Sequence, residues 1–82
     1  VRFSWGEVQV LVLVEQGRVR EAKIWSDALD TDFIKAAEEA LGGMVWSRNA
    51  AAARFSALSC VTLLQETMRR DLQDVICNMI ER

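Results

Sequence analysis

The sequence predicts a small α+β domain, in which an antiparallel β-hairpin and a short third strand carry three packed helices in the order β-β-α-β-α-α. Three observations predict it. Val8, Val10, Val12 and Val14 alternate with Glu7, Gln9, Leu11, Leu13 and Glu15, the period-two signature of a strand. Gln16-Gly17 then separates this run from a second β-prone run. From Phe33 onward the apolar residues recur at steps of three and four, as on a helix face.

The first strand has an apolar even face, and Leu11 and Leu13 make the middle of its odd face apolar as well, so cover is expected over at least part of both faces. Gln16-Gly17 fits a tight hairpin, because glycine tolerates the positive φ such turns demand. The returning strand, 18–26, places Val19 on one parity and Ala22 and Ile24 on the other. A bulge near Arg20-Glu21 restores a common face, since one extra residue reverses the alternation.

Asp30 or Thr31 can cap the first helix, which carries Phe33, Ala37, Ala40 and Leu41 on one side and ends at Gly42-Gly43. Met44-Val45-Trp46 reads as the short third strand. Ser47 or Asn49 caps the next helix, with Ala50 to Ala53, Phe55 and Leu58. The last segment has the clearest helical period, through Val61, Leu64, Met68, Leu72, Val75 and Met79, with Ile76 and Ile80 widening the stripe. Thr62 and Gln65 have capping-box spacing. No proline interrupts the chain.

With 82 residues, 51% apolar and 27% charged, residues 1–82 are expected to form one small domain with one modest core. A net charge of -2 gives no basis for phosphate-backbone binding, so nucleic acid is not an expected partner. No apolar run reaches the roughly 20 residues that span a bilayer, and no signal peptide is evident. A cytoplasmic, reducing location is expected, because two cysteines, Cys60 and Cys77, cannot supply a disulfide framework. Buried thiols are their expected state.

The inventory argues against self-contained catalysis. There is no histidine, and the only lysines, Lys23 and Lys35, lack an apolar setting that would activate either as a nucleophile. Gly42-Gly43 lacks the spacing of a phosphate-cradling loop and is better read as a helix terminator. Cys60 and Cys77 match no metal-ligand spacing. No catalytic, cofactor-binding or metal-ligating residue is therefore assigned. Ser26-Asp27 is the polar pair at a strand end, where local backbone capping competes with any chemical role. Trp5, Trp25 and Trp46 are more indoles than so small a core readily absorbs, so at least one is expected at an interface, although each by itself fits core packing.

The ordered set Phe3-x-Trp5-Gly6, the alternation through Val14, Gly17-x-Val19 and Ala22-x-Ile24-x-Ser26-Asp27 resembles the C-terminal accessory domain of the lipoate-protein ligase A family. The helix from Phe33, Leu41-Gly42-Gly43, a short apolar run and two helices continue the likeness over nearly the whole chain. Ser26 departs from the pattern, which often has glycine before the aspartate. The resemblance implies a ligase whose large catalytic domain binds lipoate and ATP, makes lipoyl-adenylate and passes the lipoyl group to a lysine of a carrier protein. It implies that the small domain assists adenylation, repositions against the large one, and exists fused or as a separate subunit. The family's catalytic lysine lies in the large domain, so no residue here inherits it. Trp5, Gly6, Trp25, Ser26, Asp27 and Trp46 are the candidate interface or structural positions.

Two other readings compete: a free-standing protein-interaction module unrelated to lipoate, and a scaffold handling sulfur or metal through Cys60 and Cys77.

Overall fold

The computed structural model describes residues 1–80. Its elements run β1 (Arg2–Phe3), β2 (Gly6–Glu15), β3 (Arg18–Ser26), α1 (Thr31–Leu41), α2 (Arg48–Ser56) and α3 (Leu63–Ile80). The three strands form an antiparallel sheet in the order β1-β2-β3. The fold is α+β as expected, but its order is β-β-β-α-α-α.

The third strand is β1 and not Met44-Val45-Trp46. The latter segment does lie along the start of β3: Val19 N donates to Met44 O at 2.8 Å, Gly43 N to Val19 O at 3.0 Å, and Trp46 N to Gly17 O at 2.8 Å. Only Arg18 and Val45 form a bridge, because Ser47 N turns back onto Val45 O at 2.8 Å and the Ser47 side chain caps α2. The chain has no room to continue extended between a helix end and a helix start. At the N-terminus, Ser4-Trp5 turns Arg2-Phe3 back onto Glu7 and Gly6.

The hairpin forms where expected. Gln16 (φ 54°) and Gly17 (φ 77°) both have positive φ, the requirement of a type I′ turn, whose twist matches that of the strands. The register steps from Leu13 opposite Glu21 to Val14 opposite Val19. Arg20 is thus the extra residue, and it brings Val19 and Ile24 onto one buried face.

Asp30 Oδ1 accepts from Phe33 N at 3.0 Å and starts α1; Ser47 Oγ accepts from Ala50 N at 3.1 Å and starts α2. The α1 terminus is closed by Arg54 of α2, whose Nη1 donates to Ala40 O and Gly42 O, each at 3.1 Å. Thr62 Oγ1 accepts from Gln65 N at 3.0 Å, while Gln65 Oε1 accepts from Val61 N at 2.8 Å, a capping box displaced by one residue.

All three helices contribute to the core under the even face of β2. Val8, Val19 and Ile24 meet Phe33, Ala37 and Leu41 of α1, Ala51 and Phe55 of α2, and Met68, Leu72 and Ile76 of α3, with Met44 buried beside them. The apolar stripe of α3 is therefore mostly core, except that Leu64 in its first turn is exposed, as is Val61, which precedes the helix. Cys60 and Cys77 are unoxidised, half-buried and packed against this cluster, so they are less enclosed than expected. No buried polar or charged side chain interrupts the core among the described residues.

Candidate functional site

The odd face of the hairpin points away from the helices. Leu11 (45%), Leu13 (46%) and Trp25 (50%) are all half-exposed on it. Gln9 pairs with Trp25, Leu11 with Lys23, and Leu13 with Glu21, so the apolar groups are interleaved with charged ones. Such a surface has a large aromatic anchor and a polar surround, the composition of an interface core and rim. Leu11 and Leu13 are legible in the alternation as a second apolar face, although neither is among the candidate residues singled out from the sequence.

At one end of this face Glu7, Gln9, Trp25, Ser26 and Asp27 line an open cleft of about 470 Å³. Asp27 Oδ1 accepts the Glu7 backbone N–H at 2.8 Å, and Ser26 Oγ accepts from Ala28 N at 3.1 Å. Both side chains are engaged in fixing backbone. Gly6, with φ 151°, lies in the same corner, and a Cβ there would stand 2.6 Å from Asp27 Oδ1. Gly6, Trp25, Ser26 and Asp27 are thus brought together where β2 begins and β3 ends.

Trp5 and Trp46 do not join them. Trp5 stacks on Phe3 with ring centroids 5.2 Å apart, and its Nε1 donates to Asp71 Oδ2 of α3 at 2.9 Å. Trp46 packs against the core, and its backbone N–H donates to Gly17 O at the opposite tip of the hairpin, about 30 Å away at the usual strand rise. Of the three indoles, Trp25 is the exposed one.

A second apolar area lies where α1 and α3 begin. Leu29, Val61, Leu63 and Leu64 are exposed there, beside a cleft of about 310 Å³ bordered by Trp5 and Met68. Asp30 Oδ2 accepts from Gln65 Nε2 at 2.8 Å and ties the two helix starts together. That bond, and secondarily the Phe33 N–H, hold the Asp30 carboxyl below its ordinary pKa of 3.8. No group of three or more His, Cys, Asp or Glu able to hold a metal occurs among the described residues. No helix there is long and apolar enough to cross a membrane.

The family model for the bacterial lipoate protein ligase C-terminus matches residues 1–76. The chain belongs to this family. The lipoate ligase C-terminal domain is also 33% identical over 58 residues to the lipoate-protein ligase A of Psychrobacter cryohalolentis, a match covering 71% of this chain and 17% of that protein. A solved structure, LipL1 of P. falciparum in complex with lipoate, superposes with a TM-score of 0.82 at 18% identity, covering 95% of this chain and 23% of that one. At that identity the likeness concerns the fold. The domain therefore spans a minor part of the length of the relatives it matches.

Proposed function

We propose that this domain is the non-catalytic accessory part of a lipoate-protein ligase, acting by docking on the large catalytic domain. The observation that carries this reading is the half-exposed row Leu11, Leu13 and Trp25 on a sheet whose other face is filled by the domain's own helices. Burial of these groups against the catalytic domain would release about 25 cal/mol for each Å² of apolar surface removed from water.

The reaction served is adenylation. The lipoate carboxylate attacks the α-phosphorus of ATP, giving lipoyl-AMP and pyrophosphate, and a carrier lysine amine then displaces AMP to form an amide. Both steps belong to the catalytic domain, which holds lipoate and ATP. Docking closes that site, excludes water from the mixed anhydride and orients the two substrates. The contribution of this chain is made by contact, and by itself it is expected to turn nothing over.

The test is addition of this chain to its cognate catalytic domain, with lipoate-dependent pyrophosphate release as readout. Stimulation that is lost with Trp25→Ser and Leu11→Ser is the expected result. A catalytic domain indifferent to the addition would refute the reading.

A further inference from the structure

The two edges of the sheet are finished differently. Along β3 the outer backbone is met at two points: Glu38 Oε2 of α1 accepts the Ile24 N–H at 2.9 Å, and Met44 O accepts the Val19 N–H. Along β2 the pairing with β1 is unbroken as far as Val1, the first residue of the sequence. β1 pairs through Arg2 with Glu7 and Phe3 with Gly6, and Val1 and Val8 then exchange both backbone hydrogen bonds, at 2.7 and 3.0 Å. In an antiparallel ladder the next residues of β2 facing that side are Val10 and Val12. Among the described residues no strand lies there. Beside this stretch runs a groove of about 490 Å³ between β2 and the end of α3, bordered by Val1, Phe3, Val10, Val75 and Met79 together with the polar Gln9, Asp74 and Asn78. A backbone edge next to a groove with an apolar wall is the arrangement that accepts an added strand.

We propose that this edge is occupied by the residues that precede Val1 in the intact ligase, which prolong β1 along β2. This inference rests on the reading of the domain as part of a longer ligase. Register identifies the occupant: continuing from the Val1–Val8 pair, the residue two positions before Val1 exchanges hydrogen bonds with Val10, and the residue four positions before Val1 does so with Val12. Directly opposed residues share a face, so the first of these projects its side chain with Val10 into the groove at Val75 and Met79. The second lies beside Val12 on the same face. Both are therefore expected to be apolar. The extension would tie the segment joining the two parts of the ligase to the sheet that carries the outer face.

The test is amide hydrogen exchange on the intact ligase. Val10 and Val12 are expected to exchange on the order of 100-fold more slowly than unpaired edge amides. Proline placed two positions before Val1 removes the donor to Val10 O and sets its ring against β2, which parts the two strands, so protection of the Val10 N–H is expected to fall. Proline immediately before Val1, where the N–H faces outward, is expected to preserve it. Exchange at Val10 and Val12 as fast as at a free edge would overturn the inference. So would protection unmoved by either proline, because a different segment would then cover the edge. Stimulation of the catalytic domain by this chain, together with fast exchange at Val10 and Val12 in the intact ligase, would overturn this inference and leave the docking reading standing, which separates the two failures.

Discussion

Trp5 Nε1 donates to Asp71 Oδ2 at 2.9 Å, a bond between residues 66 positions apart that fastens the first turn of the chain to its last helix. Asp71 is largely shielded from solvent, so the bond is made where water competes poorly. The indole also stacks on Phe3. Trp5→Phe keeps an aromatic ring there and removes the donor. A loss of about 1–3 kcal/mol is expected for a hydrogen bond to a charged group. Urea unfolding of Trp5→Phe, Asp71→Ala and the double variant is expected to show non-additivity of about 1 kcal/mol.

The corner at Gly6 offers a second test. Its φ of 151°, and the 2.6 Å that would separate an added Cβ from Asp27 Oδ1, make Gly6→Ala costly, by about 1–3 kcal/mol for a residue forced into a sparsely populated backbone region. Combined with Asp27→Ala, the close contact with Oδ1 is removed, while the backbone part and the 3.3 Å approach to Ala28 N stay. The penalty of Gly6→Ala measured in that background is therefore expected to be smaller.

The Asp30 carboxyl links stability to acid. Its folded-state pKa is lowered by Gln65 and then by the Phe33 N–H. Stabilisation from this group is therefore present above the ordinary carboxylate pKa of 3.8 and is lost as pH falls through the lowered folded value. Gln65→Ala is expected to move the Asp30 titration upward in NMR. Asp30→Asn is expected to keep the helix cap while removing this acid dependence from the stability curve.

Core and outer face separate stability from function. Leu72→Ala is expected to cost about 2–5 kcal/mol, since the side chain is fully buried and its loss leaves a cavity. Leu13→Ser on the half-exposed face is expected to shift stability by only about 0.5 kcal/mol. In the intact ligase Leu13→Ser is nevertheless expected to slow lipoate-dependent pyrophosphate release, with thermal unfolding as the control.

Much of this architecture is legible in the residues because local signals and tertiary packing agree. The Val8–Val14 alternation, the turn at Gln16-Gly17, the parity switch at Arg20 and the caps at Asp30 and Ser47 all state their structural role within a few positions. β1 is not legible in this way, because two residues are too few to show a period and only the closeness of Gly6 to Asp27 explains the return. Met44-Val45-Trp46 has strand composition, but the capping demand of Ser47 overrides it. The outer face is visible in Leu11 and Leu13. Which tryptophan belongs to it is not, since the tethering of Trp5 depends on α3, which lies far along the chain, and the exposure of Trp25 depends on the helices covering the other face of the sheet.

A core held by volume alone has a consequence for how such a domain changes over time. Because no polar pair is locked inside among the described residues, equal-volume apolar exchanges need no matching partner change. Lineages can rewrite this interior step by step and retain its outline. Positions such as Gly6 and Asp27, whose shapes answer each other at close quarters, are where such drift is expected to be slowest.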